Sequence, residues 1–485
     1  MIPFAEYIPD QPALENKGST EAKNVVPALT GYRCLKDLQP FSGASTDKLL
    51  SVFAGKDDDG LASIYAGDAG KLYKFKSLDS SLEDKSKSGG YSTTINNYWD
   101  FVQFGEQLLA TNFNDPIQTN TVSQATLFSD LSGSPPRSKF LEVVRDQVFC
   151  GYTNDPTDGT KPYRLRWSGI NDATSWTSGT NLSDFQDIVD VGDCTGLVGG
   201  EFLIALFERA IVRGQFVGAP LVYQFDQIHT RGCAVPGSVA SLGPQQVFFL
   251  SDDGFYMLSG NDLQPIGAEK VDNFFFSRLK ENDRVNIRAA VDPIAQVVVW
   301  AYPSVDSTDG SNDEMLIYNF FLNRWSRAVL AADNVAQIFT AASSLEDLDA
   351  VSNSIDTLPA SLDSKIFMGG TFFFAATKDK KIQSFTGSCL PATIETSEFQ
   401  VKTGRSIVNT VIPYVTGTAA QITANVGTRN IQTENVTFGT ASTVNAEGFC
   451  PVRSEGRFHR VRVNITDDFT QAQGIDVDVQ ELGLR

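Results

Sequence analysis

One pattern, recurring from about Cys34 to Ser388, limits the folds open to this 485-residue chain: a short apolar or aromatic strand, a Gly- or Asp-containing turn, then another such strand. Hairpins of this kind read from Leu61 to Phe75, Leu141 to Tyr152, Leu197 to Phe216 and Gln245 to Ile266, then from Ala289 to Tyr302, Met315 to Val329 and Lys365 to Phe385. Turn pairs such as Asp59-Gly60, Asp158-Gly159, Asp253-Gly254 and Asp309-Gly310 suit hairpin turns that need positive φ. The hairpins return every ~40 to 50 residues, the span of one four-stranded propeller blade. That period allows at most about seven blades. Polar excursions at Glu83 to Gly90, Thr153 to Pro162, Ser304 to Asp313 and Ser343 to Ser364 use up length, so about six are expected. WD and kelch signatures are absent, and the period alone also admits a sandwich or a set of smaller β domains.

The expected class is all-β: a β-propeller of about six blades over residues 34–388, with a C-terminal β-sandwich-like domain over 389–485. Thr-, Val- and Asn-rich alternation marks the latter, as in Ser406 to Val415, Gln421 to Val426 and Phe458 to Ile465. Residues 1–33 read as an extended arm, because Pro3, Pro9, Pro12 and Pro27 forbid a long helix. Val271, Phe274, Phe275 and Leu279 fall at helical spacing, predicting one short helix within Glu269 to Arg284.

Net charge is −19, which argues against gripping nucleic acid, since that affinity comes from neutralising phosphates with Lys and Arg. It is compatible with a wall past which DNA slides. The six cysteines, Cys34, Cys150, Cys194, Cys233, Cys389 and Cys450, show no clustered metal-ligand spacing and read as free thiols. The opening residues lack the basic and apolar regions of a secretory signal, and runs such as Val297 to Tyr302 are far short of the ~18 residues of a membrane helix. Folding in a cytosol, with no membrane span, is expected.

Little in the sequence points to catalysis. No GxGxxG after a strand, Walker loop, HExxH or GxSxG occurs, and His229 and His459 are the sole histidines. No catalytic residue, cofactor or metal is expected. A propeller glycosidase would need only two carboxylates, and Asp252 and Asp253 at a hairpin tip are available for that. They read more simply as turn formers. Trp99, Trp167, Trp176, Trp300 and Trp325 suit either a sugar-stacking platform or the core between blades, and the core is expected. The run Asp57-Asp58-Asp59-Gly60 and the stretch Asp306 to Asp313 both lack the register of an EF-hand calcium loop and read as solvated turns.

Between Leu197 and Arg327 an ordered set of features resembles the tail-hub or nozzle proteins of short-tailed bacteriophages, also called packaged-DNA stabilisation proteins. These are Phe207 to Val212, Gly232-Cys-Ala-Val-Pro236, Val247 to Gly254, Tyr256 to Gly260, Gln264-Pro-Ile266, the predicted helix, Tyr302-Pro303, and Leu316-Ile-Tyr-Asn319 leading into Arg324-Trp325. The arm from Phe4 to Tyr32 and the Gly70-Lys-Leu-Tyr73 turn are similar to that family too, and Arg453 to Ile465 is similar to the last strands of a group of phage structural proteins. The resemblance implies a non-enzymatic virion protein, assembled in the bacterial host cytoplasm. It would form a closed ring, expected to be a homohexamer, in the tail below the portal and its adaptor. Tail fibre, spike or needle proteins would be further partners. Double-stranded DNA would be retained above the ring and pass through it without sequence recognition during ejection. Asp57, Asp58 and Asp59 are the candidate acidic channel-lining residues. A virion propeller that binds host-surface glycan, or a propeller glycosidase, are the alternatives.

Overall fold

A computed structural model describes residues 1–14, 16–77, 79–94, 98–340, 370–401, 404–417 and 421–483. Its centre is a β-propeller of seven four-stranded antiparallel units. The first six blades span residues 51–84, 100–130, 137–187, 194–229, 240–265 and 288–329. The seventh uses strands Asn334–Phe339, Phe372–Lys378 and Lys381–Ser384, and borrows its outer strand, Gln39–Pro40, from the chain ahead of the first blade. Hydrogen bonding between the two ends of the propeller thus closes the circle. The excursion from Ser343 to Ser364 lies outside the described residues, as does the start of the Lys365 hairpin.

Among the described residues seven apolar clusters mark the seven seams between blades, one of them running on into the C-terminal sandwich, and their membership shows why the middle strands carry unbroken apolar runs. In Leu203–Phe207, Leu203, Ala205 and Phe207 pack toward the third blade, whereas Ile204 and Leu206 pack toward the fifth. In Val297–Tyr302, Val298, Trp300 and Tyr302 face the fifth blade, and Val297, Val299 and Ala301 face the seventh. Alternation with period two persists, but both faces are covered, so each position must be apolar. The last seam joins Ala336, Ile338 and Ile382 to Val52, Ile64 and Ala66, completing the ring. All five tryptophans are buried in such seams, at 2 % exposure or less, and none offers a sugar platform.

Seven blades stand where hairpin spacing favoured six. The blade absent from the sequence reading is the second. Its inner hairpin, Asp100–Phe104 with Gln107–Thr111, turns at Gly105-Glu106, and its outer strands, Gln118–Thr121 and Ser129–Asp130, are polar and short. The predicted helix is present as Asp272–Arg278, followed by a 3-10 turn at Glu281–Asn286. Among the described residues no helix is long and apolar enough to cross a membrane.

The C-terminal strands form two sheets of a sandwich, and the N-terminal residues are woven into both. Ile2–Pro3, Val25–Pro27 and Tyr32–Cys34 join the sheet of Arg405–Thr416, Cys450–Gly456 and Gln471–Gly483. Ser19–Lys23 pairs with Ala392–Thr396 on one side and touches Arg324–Val329 of the sixth blade on the other, at Lys23 opposite Arg327. One continuous ten-stranded sheet therefore links propeller and sandwich. A buried ion network crosses this joint. Arg327 donates to both carboxylate oxygens of Glu21 at 2.8 and 2.6 Å and lies 3.7 Å from Glu314, which also takes hydrogen bonds from Arg278 and, at 2.6 Å, from the Tyr302 hydroxyl.

The expectation of six free thiols is overturned. Cys34 and Cys389 form a disulfide across a sequence separation of 355 residues, with Cα atoms 5.6 Å apart. Cys34 ends an arm strand and Cys389 follows the last propeller strand, so the bond clasps the chain where it enters and leaves the propeller. Sequence spacing cannot report a pairing that exists only because the ring brings its ends together. Cys150, Cys194, Cys233 and Cys450 are free and buried.

Candidate functional site

The first strand of each blade is innermost, and these seven strands surround an axial channel of about 300 Å3. Most wall positions are small or apolar, such as Val52, Gly196, Ala289 and Ala336, because seven strands converge there. Polar side chains interrupt that lining, among them the titratable Tyr98, Asp100, Glu142 and Arg288, and the amides Asn334 and Gln337.

Asp100 and Glu142 occupy successive blades and do the same job. The Asp100 carboxylate accepts the Leu141 N–H of the next blade at 2.8 Å. Glu142 accepts from its neighbour Val143 at 2.9 Å and from the main chain of Gly199, in the blade after. Gly199 has no room for a Cβ, which would lie 2.4 Å from the Glu142 side chain. Each acid is therefore a staple between adjacent blades, with a small opening to the channel. Burial pushes the Asp100 carboxyl up to about 7, with a further push from Glu142. Burial likewise raises Glu142 to about 7. Both carry a proton for part of the time near neutrality.

A carboxyl with a raised folded-state value costs stability once it ionises. That cost begins above the unfolded value, near 4, and is complete above the folded value of about 7. Stability should therefore fall as pH rises through this window. The double variant Asp100→Asn, Glu142→Gln should flatten the dependence and stabilise the protein at pH ~8 by roughly 1 to 3 kcal/mol, with channel water screening part of the full effect. Thermal melts of both proteins across pH check this. Parallel curves would mean that the channel acids do not titrate in the window.

The residues singled out from sequence lie elsewhere, in turns of separate blades. Asp57, Asp58 and Asp59 form the turn between Ser51–Lys56 and Ala62–Gly67, where the Asp57 carboxylate accepts the Leu61 N–H at 2.8 Å and Gly60 takes φ +83°. Asp58 and Asp59 are exposed. Asp252 and Asp253 form another exposed turn. Burial raises the Asp253 carboxyl, but the hydrogen-bonded Arg231 guanidinium outweighs it and leaves the group below its ordinary value. Asp309 and Asp313 spend their oxygens on Ser311 and Ser304. Among the described residues no three His, Cys, Asp or Glu side chains group as metal ligands. His459 is fully buried and bonds Ser406 at 2.7 Å, and His229 contacts the Asn261 carbonyl at 2.8 Å. Sequence reading missed the channel acids. The available signal was a carboxylate inside an apolar strand, as in Leu141-Glu-Val-Val144.

No protein-family profile matches the chain, and no curated protein matches it. Similar solved structures include BamB from Moraxella catarrhalis, at 11 % identity and TM-score 0.35, covering 65 % of this chain and 88 % of that one. Another is the computationally designed Ika8 protein, at 8 % identity and TM-score 0.38, covering 77 % and 98 %. A third is the extracellular domain of a one-component system protein, BT4673, from B. thetaiotaomicron, at 8 % identity and TM-score 0.41, covering 91 % and 62 %.

Proposed function

We propose that this chain is a structural, non-enzymatic component of a short-tailed phage virion: a hub or nozzle subunit whose ring continues the DNA channel below the portal and adaptor. The observation that carries the reading is where the family-like residues lie. The ordered set between Leu197 and Arg327 falls in and between the fourth, fifth and sixth blades, including the helix between the last two, and further resembling segments lie in the arm, the first blade and the sandwich. Among them, Trp325 donates to the Ile266 carbonyl at 2.9 Å, and the intervening Phe255 touches Trp325 and Phe275 of the helix. Resembling segments that meet in the core between two blades suit a building block.

The propeller's own channel, about 300 Å3 and lined by side chains, is far too small for a DNA duplex. DNA would pass through the ring that several copies enclose, and closure of a head-to-tail contact into a ring is what prevents filaments. A net charge of −19 per chain gives the polyanion few adhesive sites. The disulfide suits a particle that leaves the reducing cytosol of its host.

Tails assembled with Asp57, Asp58 and Asp59 all replaced by Lys should eject DNA more slowly at low salt, where screening is weakest. Ejection kinetics followed by dye release test this. Unchanged kinetics would remove that turn from the channel wall.

A further inference from the structure

At the rim of the axial channel lies a second, smaller cavity of about 70 Å3, whose lining includes Tyr98, Phe113, Lys139, Gly237 and Val285. It is independent of the tail-ring reading. Several half-buried cations elsewhere are paired, Arg164 with Asp158 and Asp187, Arg429 with Glu398, Arg462 with Glu395, Lys270 with Glu6, while Lys74 and Arg324 have main-chain carbonyls as acceptors. Lys139 has neither among the described residues. Its Nζ has no carboxylate within ion-pair distance among the described residues, Asp193 acting on it only from farther off, and it sits 3.6 Å from the Tyr152 ring centroid and 5.7 Å from that of Phe113. Those two rings meet edge to face at 5.3 Å. Both residues hold left-handed backbone, at φ +55° and +67°, which bulky side chains avoid unless the surroundings impose it.

A second unpaired cation stands behind the same cavity. The Arg288 guanidinium lies 4.5 Å from the Tyr98 ring centroid and, among the described residues, donates only to the Val285 and Ile287 carbonyls, at 2.8 and 2.7 Å. A Cβ on Gly237 would fall 2.4 Å from that guanidinium, so glycine makes the space it occupies. Burial keeps the Tyr98 phenol above its ordinary value, so its hydroxyl stays a donor, and it has no partner among the described residues. Among the described residues, Lys139 and the Tyr98 hydroxyl thus line one small opening without partners, and Arg288 packs behind the Tyr98 ring, in a chain of net charge −19.

We propose that this cavity binds a small oxyanion, a carboxylate or phosphate group, with Lys139 Nζ and the Tyr98 hydroxyl donating to it and Arg288 supplying field from behind the tyrosine ring. The volume admits one such group and excludes a sugar ring. The aromatic pair beside Lys139 holds the ammonium in place by its ring faces, without neutralising it.

Acylation of the folded protein with acetic anhydride, followed by site-resolved mass spectrometry, tests this in phosphate, acetate and chloride at matched ionic strength. Phosphate or acetate should protect Lys139 while leaving the exposed Lys76 as reactive as in chloride, and whichever protects identifies the group preferred. Equal reactivity of Lys139 in all three salts would overturn the proposal. Isothermal titration with inorganic phosphate and with acetate supplies the second readout. Saturable binding is expected for the native chain, with a loss of about tenfold or more in Lys139→Met, which keeps the aliphatic stem between the rings, and a smaller loss in Tyr98→Phe. Absence of saturable binding by the native protein, or unaltered affinity in Lys139→Met, would also overturn it.

Discussion

Replacing Cys34 with Ser should destabilise the protein by roughly 3 to 5 kcal/mol. The bond it removes closes a loop that spans a sequence separation of 355 residues, and in the chain-entropy account a longer loop means more unfolded-state freedom withheld. Without the bond the ring is closed by non-covalent contacts alone: the pairing of Gln39–Pro40 with Lys381–Ser384, the flanking main-chain bonds of Phe41 and Ser42 to Ile382, the Lys48–Asp333 ion pair, and the apolar seam of Val52, Ile64 and Ile382. The seam between the seventh and first blades should therefore open first. Hydrogen exchange at Val52, Ile64 and Ile382 reports that opening, with protection lost there before it is lost at Leu203 or Phe249 of the far blades. Thiol titration of the denatured, unreduced protein gives the direct check: four reactive thiols are expected, and six would mean that the clasp does not form.

Arg327→Leu should cost a similar amount, roughly 3 to 5 kcal/mol, for a different reason. Glu314 is 3 % exposed and Glu21 is largely covered, so losing the guanidinium strands one carboxylate and leaves the other with Arg278 as its remaining cation. The unpaired charge, more than the lost attraction, sets the size of the effect. Because the pair spans the joint between the sixth blade and the sandwich, uncoupled melting of the two parts should follow. Adding Glu21→Leu to Arg327→Leu should recover part of the loss. A double-mutant cycle gives the coupling, and a value near zero would mean that water screens the pair.

Which parts were readable in advance follows from whether the signal was local. Turn chemistry was local: Gly60 and Gly310 take the positive φ that Asp-Gly pairs announce. Burial on both faces was local too, since Val297 to Tyr302 has no polar position to spend on solvent. The second blade was hidden because its strands are short and its outer half polar. The closing strand Gln39–Pro40 has no strand signature of its own, since its partner decides its state. The Cys34–Cys389 pair and the weaving of residues 2–34 into the C-terminal sheets depend on the ring bringing distant segments together. The channel acids have the same origin. Asp100 and Glu142 are ordinary strand residues until seven inner strands converge and leave them beside main-chain donors of the next blade.

The tail-ring reading predicts an assembly that no single propeller has. Native mass spectrometry and negative-stain images of the purified protein, alone or with its tail partners, should give a closed ring of about six copies around a hole that a DNA duplex can enter. Discs that stay monomeric or trimeric, pierced only by the narrow axial channel, would contradict it.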